Sequence, residues 1–128
     1  MSGLSGLNPG LRPAAQWTLD VAAHYGVPVT VTSVYRSWQS QRELYDRYRR
    51  SVEAGTFRKP GGVQYPANRP GDSAHNWGLA WDSTVPERYQ EWWNYVRRLA
   101  GFEVLPNDVI HAQLPNWRDY VGSLAAPS

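Results

Sequence analysis

The chain has 128 residues, enough for one domain with a single hydrophobic core. Its net charge of +2 is too small to indicate a nucleic-acid partner, and no apolar run approaches the length of a membrane span. Cysteine is absent, which excludes disulfides, thiolate zinc sites and cysteine nucleophiles. Any bound metal must therefore be held by His, Asp or Glu.

The first half of the chain is predicted to form two helices, one strand and a long loop. Apolar residues at helical spacing predict a helix over 8–25, and β-branched residues predict a strand over 28–34. Ser37 is suited to cap a second helix that ends at Gly55. The segment 56–72 contains 3 Pro and 3 Gly and predicts a long loop, of a length that is usually functional or disordered.

The second half is predicted to form a strand, a helix and two short strands. The stretch "GLAWDST" over 78–84 predicts the strand, and Pro86 begins a helix that ends at Gly101. The stretches "FEVL" and "VIHAQL" then predict two strands close enough together to form a hairpin.

This order of elements predicts an α+β fold. We expect a single small domain over 1–128, with a mostly antiparallel sheet and helices packed on it. The first ten residues, "MSGLSGLNPG", lack the basic and apolar regions of a secretory signal. We therefore expect a protein that is made in the cytoplasm and leaves it by another route. We also expect a monomer.

Two of the three histidines have acidic residues nearby in the sequence. His75 is followed seven positions later by Asp82, and His111 is preceded three positions earlier by Asp108. His24 lies near the end of the first predicted helix, where we expect a surface or helix-terminal role. Only His75 and His111 are therefore candidates for a functional site.

These residues are able to form a metal site. In the predicted strand, Gly78, Ala80 and Asp82 share one face, and the small residues leave space above the carboxylate. His75 in the preceding turn is able to fold back over that space, while His111 comes from a later strand. Two imidazoles, one carboxylate and an open position are typical of a catalytic zinc site. The alternative is a polar strand edge without metal.

Asp108 is a candidate general base. On a straight strand, its spacing from His111 would place the two side chains on opposite faces. Only a bend at Pro106-Asn107 would bring the Asp108 carboxylate to the site. The spacing therefore permits a base but does not require one.

The chain resembles the M15 zinc peptidases of bacterial cell walls. This family includes D,D-carboxypeptidases, D-Ala-D-Ala dipeptidases and phage L-alanyl-D-glutamate endolysins, and it shares its fold with hedgehog signalling domains. The resemblance covers about residues 28–114 and rests on three segments in the family's order: "SVYRS" at 33–37 with Gln41 and Leu44, "SAHNWGLAWD" at 73–82 as SxHxxGxAxD, and "GF" at 101–102 with Asp108-x-x-His111.

The resemblance implies a zinc ion bound by His75, Asp82 and His111, with Asp108 as the base. Carboxypeptidases and dipeptidases of the family usually carry Glu in the place of Asp108, so Asp is similar to the endolysin branch. The resemblance also implies that Arg36 points into the site, where it binds a substrate carboxylate or the polarised carbonyl oxygen.

Three polar residues keep two interpretations each. Arg36 is either part of the site or a surface residue paired with Asp46 or Asp72. Ser73 and Gln41 either bind substrate through hydrogen bonds or hold the neighbouring loop.

The sequence departs from the family pattern at two positions. Ala112 stands where an aromatic residue usually follows the third ligand, and Trp81 is bulkier than usual, which affects the expected shape of the groove. Four tryptophans are expected in the core or the groove wall: Trp77, Trp92, Trp93 and Trp117.

The implied function is a zinc metallopeptidase that hydrolyses peptide bonds in peptidoglycan stem peptides. A phage endolysin with L-alanyl-D-glutamate endopeptidase activity is favoured, released by a holin-like route or carried on a virion. The alternatives are a D-Ala-D-Ala carboxypeptidase and an inactive wall-binding or virion structural domain. The expected partner is the stem peptide, with neither nucleic acid nor a membrane span.

Overall fold

A computed structural model describes residues 3–125. The helices and strands of this range are α1 (Arg12–His24), β1 (Thr30–Ser33), α2 (Trp38–Glu53), β2 (Ala80–Thr84), α3 (Gln90–Leu99), β3 (Glu103–Leu105), β4 (Asp108–Gln113) and α4 (Trp117–Ala125). Short 3₁₀ helices lie at Ala74–Trp77 and Glu87–Tyr89. The predicted α+β class is confirmed, and none of the described helices is long and apolar enough to cross a membrane.

The four strands form one antiparallel sheet in the order β1-β2-β4-β3. The two central strands come from distant parts of the sequence, and their register pairs Asp82 with His111 and Trp81 with Ala112. The predicted hairpin of β3 and β4 is confirmed, with a shift in register between Val104 and Leu105. The register therefore brings one acidic and one histidine side chain together at the centre of the sheet.

An aromatic core fixes the two central strands against the helices. Trp81 is fully buried, and its ring meets the rings of Trp93 and Phe102 edge to face, with centroids 6.1 and 5.7 Å apart. The indole Nε1 of Trp93 donates a hydrogen bond of 2.8 Å to Ser83 Oγ. Burying each large aromatic side chain contributes about 2–3 kcal/mol, so this core holds β2 firmly in position.

A second, smaller cluster involves helix α4, which the sequence analysis did not predict. Trp117 and Val121, one turn apart on α4, pack with Ala74, Leu79 and Ala80. The expectation that Ala80 leaves the strand face open is wrong, because Ala80 is fully buried in this cluster.

Gly78 is required for a different reason from the one expected. It lies before β2 at a φ of 68°, in the left-handed region, and donates to the carbonyl oxygen of His75 as the end of the 3₁₀ helix. A Cβ at this position would lie 3.1 Å from the carbonyl oxygen of Gly6. Gly78 therefore permits close approach of the N-terminal segment and does not clear space for a ligand.

The long segment 56–72 contains neither helix nor strand, as predicted, but hydrogen bonds attach it to α2. Ser51 Oγ accepts a hydrogen bond of 3.1 Å from the backbone N–H of Val63. At the start of the same helix, Ser37 Oγ accepts from the N–H of Ser40, which confirms the predicted cap. The loop therefore lies along α2 and forms a wall beside the sheet.

Candidate metal centre

Three elements bring His75, Asp82 and His111 together. His75 lies in the 3₁₀ helix that Ser73 caps, Asp82 is in the middle of β2, and His111 lies opposite it on β4. One ligand atom from each residue lies within 4.8 Å of the others. This is a group of three side chains that is able to hold a metal ion.

Both histidines contact the same carboxylate oxygen. His75 Nε2 and His111 Nδ1 each lie 3.1 Å from Asp82 Oδ1. The three side chains are 4%, 13% and 12% exposed for His75, Asp82 and His111, so little solvent reaches them. A charge on Asp82 at this depth needs a positive partner.

The outer ring nitrogens of both histidines are held by hydrogen-bond acceptors. His75 Nδ1 donates to the carbonyl oxygen of Val34 at 2.7 Å, and His111 Nε2 donates to Gln113 Oε1 at 2.8 Å. The Gln113 amide is itself oriented by a hydrogen bond of 2.6 Å from its Nε2 to Glu103 Oε1.

These contacts place the N–H of each neutral imidazole on its outer nitrogen. In the neutral rings the inner nitrogens then direct lone pairs toward Asp82 Oδ1, an arrangement that repels unless a metal ion, or an added proton that donates to the oxygen, lies between them. Such outer partners are typical of histidine ligands, because they fix the tautomer and the ring orientation. The two imidazoles and one carboxylate therefore fit a zinc ion with an open coordination position.

The electrostatics of the group agree with a need for positive charge. Burial opposes ionisation of Asp82, but hydrogen bonds and charge from His111 and His75 hold the pKa of its carboxyl well below the usual range. Burial also acts to lower the pKa of His111, but the hydrogen bonds with Asp82 and Gln113 outweigh it and raise that pKa. Asp82 is thus ionised in the folded protein at neutral pH.

The three residues lie at the floor of a cleft of about 640 Å³ that also includes Arg36. Arg36 is half-buried and its guanidinium donates a hydrogen bond of 3.0 Å to Gln41 Oε1. Within the described range, no ion pair joins Arg36 to Asp46 or Asp72, and Asp72 instead pairs with Arg118. The geometry thus places Arg36 beside the candidate metal site.

Gln41 and Ser73 also line the cleft, and protein groups engage both. The Gln41 side chain is nearly fully buried, accepts from Arg36 and donates from Nε2 to the carbonyl oxygen of Asn68 at 2.7 Å. Ser73 Oγ accepts from the backbone N–H of His75. These contacts favour a role in holding Arg36, the loop and the histidine, and substrate binding by Gln41 or Ser73 stays a prediction.

Asp108 is the first residue of β4 and lies on the exposed rim of the same cleft. The register of β3 and β4 shifts between Val104 and Leu105, so that Leu105 pairs with Asp108 across the Pro106-Asn107 turn. Its carboxylate is outside the group of three ligand atoms, and its negative charge adds to the rise in the pKa of His111. Asp108 is therefore positioned as a neighbour of the group and not as a fourth ligand.

Sequence reasoning missed Arg97, a fully buried residue of α3 directly behind β4. Its guanidinium donates to the carbonyl oxygens of Val109 and Ile110 at 2.6 and 3.2 Å and to Asn94 Oδ1 at 2.7 Å. Burial lowers the pKa of Arg97 to about 10. These hydrogen bonds hold β4 in position between Asp108 and His111. The sequence signal for this role was a charged residue on the apolar face of a helix.

Comparison with known proteins identifies relatives among peptidoglycan-cleaving enzymes. The peptidoglycan L-alanyl-D-glutamate endopeptidase CwlK of Bacillus subtilis (strain 168) is 33% identical over 84 residues, which are 66% of this chain. The chain spans only 45% of the length of that relative.

Two solved structures resemble the fold. A variant of the vancomycin resistance D,D-pentapeptidase VanY in complex with Zn(II) superposes with a TM-score of 0.65 at 22% identity, covering 84% of this chain and 72% of that one. The L-Ala D-Glu endopeptidase ChiX of Serratia marcescens has a TM-score of 0.58 at 23% identity, covering 91% and 86%. At these identities the likeness shows the fold alone.

The model of the family described as VanY, D-alanyl-D-alanine carboxypeptidase, matches residues 5–102. The match contains His75 and Asp82 and ends before Asp108 and His111, which line the same cleft. The resemblance to the M15 peptidases is confirmed, and the chain belongs to the VanY family of D-alanyl-D-alanine carboxypeptidases.

Proposed function

We propose that the chain is a zinc-dependent peptidase that hydrolyses peptide bonds in peptidoglycan stem peptides. The observation that carries this proposal is the group of His75, Asp82 and His111, whose inner nitrogens and carboxylate converge at the floor of a cleft. The activities named for the relatives, a peptidoglycan L-alanyl-D-glutamate endopeptidase and an L-Ala D-Glu endopeptidase, support the choice of substrate.

When bound by these three residues, a zinc ion supplies Lewis acidity toward the scissile carbonyl and lowers the pKa of a water molecule. The two neutral imidazoles and one carboxylate would leave a net charge of about +1 at the site, which favours both effects. The acceptors behind the two rings place the N–H of each neutral ring on its outer nitrogen, so that the inner nitrogen offers its lone pair to the ion.

Asp108 serves as the general base in this proposal. Its carboxylate takes a proton from the attacking water as the water oxygen bonds to the scissile carbon. The same proton passes to the leaving nitrogen as the carbon–nitrogen bond breaks. The support for this role is a carboxylate on the cleft rim, beside the ligand group but outside it.

Arg36 binds negative charge on the substrate. Gln41 holds the guanidinium through one hydrogen bond, and a guanidinium has five N–H donors, so others stay available for a carboxylate or a developing oxyanion. A preorganised donor of this kind is worth about 3–4 kcal/mol of transition-state stabilisation.

We infer that the bond cleaved is the L-alanyl-D-glutamate bond, as in a phage endolysin. Two relatives carry this activity in their names, and Asp108 resembles the base of the endolysin branch. The alternative is D-Ala-D-Ala carboxypeptidase activity, which the family description favours. A catalytically inactive wall-binding domain is a third candidate.

Asp108→Asn tests the mechanism. Because the substitution removes the base and leaves the three ligands, we expect full zinc binding and a loss of hydrolysis of about 10²- to 10⁴-fold. Zinc content by elemental analysis and digestion of purified peptidoglycan are the measurements. Asp119→Asn, at an exposed position of α4, is a control expected to behave as wild type.

The products distinguish the three candidate functions. Mass spectrometry of the digested stem peptides names the bond that is cleaved. Wild-type protein that holds one zinc ion but cleaves no stem peptide would contradict the peptidase and leave the wall-binding domain. Unchanged hydrolysis by Asp108→Asn would remove Asp108 from the mechanism.

A further inference from the structure

Helix α2 presents one row of side chains to the cleft. Gln41, Leu44 and Arg47 all line it, and their spacing of three residues places them along one face of the helix. Gln41 is the member of the row that contacts Arg36, so the row starts beside the candidate metal site and leads away from it.

Arg47 differs from the other two arginines of the cleft. Arg36 is held by Gln41, and Arg118 pairs with Asp72 and lies over the ring of Trp117 with its Cζ 4.5 Å from the centroid. Across residues 3–125, no hydrogen bond, ion pair or aromatic contact engages the side chain of Arg47. Its charge is therefore available to a ligand.

The charge balance of the cleft favours an anionic ligand. Three arginines line the cleft against two carboxylates, Asp82 and Asp108. Asp82 is already engaged by two histidines, so Asp108 is the one acidic side chain of the lining without such partners. The region around Arg47 accordingly attracts a carboxylate more than it attracts a neutral or cationic group.

The helix sets the distance between Gln41, which holds Arg36, and Arg47. Six residues separate Gln41 from Arg47, which corresponds to a rise of about 9 Å along α2. An extended peptide advances about 3.3 Å per residue, so this rise corresponds to about two or three peptide residues.

We infer that Arg47 forms an anion subsite for a second carboxylate of the substrate, two or three residues from the group that Arg36 binds. This inference rests on the proposed function. The substrate class that it names is a stem peptide whose third residue ends in a free carboxylate. A peptide with a carboxamide at that position is the disfavoured ligand.

The test compares two synthetic pentapeptides, L-Ala–γ-D-Glu–diaminopimelate–D-Ala–D-Ala, with the side-chain end of diaminopimelate either a carboxylate or a carboxamide. Their affinities are measured by calorimetry on zinc-loaded Asp108→Asn protein, which keeps the peptides intact. Arg47→Gln is added to this background, with Arg50→Gln, outside the cleft on the same helix, as the matched control.

We expect the carboxylate peptide to bind about 5- to 10-fold more tightly than the carboxamide peptide. This ratio lies between the affinity gain from an exposed ion pair and that from a desolvated one. Arg47→Gln should bring the ratio close to 1, Arg50→Gln should leave it unchanged, and high salt should reduce it. Equal affinities before substitution, or a ratio that survives Arg47→Gln, would overturn the subsite. Turnover of the two peptides by wild-type protein tests the proposed function separately, because binding is measured without hydrolysis.

Discussion

The floor and the wall of the cleft are built in different ways. On the floor, Asp82 and His111 are paired residues of adjacent central strands, and acceptors hold the outer nitrogens of both histidines. In the wall, Tyr65 is 80% exposed and Arg47 has no partner among the described residues. Under the proposed function, this difference assigns metal binding to the sheet and substrate preference to the exposed residues of α2 and the loop.

Floor and wall residues differ in how many protein hydrogen-bond partners each side chain has. A floor residue is buried and hydrogen-bonded, so a change leaves polar partners unsatisfied and costs stability or metal affinity. Arg47 and Tyr65 in the wall are solvated in the free protein, so a change there costs little until a ligand is bound. Substitutions in the two regions should therefore produce different kinds of effect.

The largest effect is expected for Asp82→Asn on the floor. The amide removes the charged ligand and places an NH₂ group where lone pairs of two histidines converge. Zinc affinity should fall by more than about 100-fold, the upper end of what loss of an outer partner costs. Competition with a chelating dye measures this, and Asp20→Asn, at an exposed position of α1, should bind zinc like wild type. Near-normal zinc affinity in Asp82→Asn would place the metal elsewhere.

The next effect concerns the support of the floor by Arg97. Arg97→Met keeps the volume but leaves the carbonyl oxygens of Val109 and Ile110 without a donor, so stability should fall by about 2–4 kcal/mol. Urea unfolding measures this loss, with Arg88→Met, which lies over Tyr89 at the surface, as the control. A loss below about 1 kcal/mol would mean that β4 holds its position without the buried cation.

Part of the floor was predictable from the sequence. The spacing from His75 to Asp82, the alternation of β2 and a histidine on a later strand, His111, indicated a possible set of three ligands, and the resemblance to the M15 family implied the same three residues. The direct pairing of β2 with β4 depends on sheet order, which local patterns do not encode because the strands are about 30 residues apart. The same limit concealed the acceptor role of the Val34 carbonyl, a backbone group with no sequence signal.

The errors concerned features that tertiary packing decides. Helix α4 follows a Pro-Asn turn and was missed, although Trp117 and Val121 have the spacing of an apolar helix face. Gly78 and Ala80 were assigned to a cleared strand face, but one meets the N-terminal segment and the other meets Trp117. Small residues indicate close approach, and the sequence alone does not say of what.

The smallest effect on stability is expected in the wall, for Tyr65→Ala. The side chain is mostly solvated and lines the cleft, so unfolding free energy should change by less than about 0.5 kcal/mol. If the cleft binds stem peptides, KM should rise about 2- to 5-fold with kcat unchanged, because the ring contributes equally to ground-state and transition-state binding. Tyr95→Ala, 60% exposed on α3 and outside the cleft lining, should change neither constant. A fall in kcat without a rise in KM would show that this part of the wall also supports the chemistry, and the division between floor and wall would then fail at Tyr65.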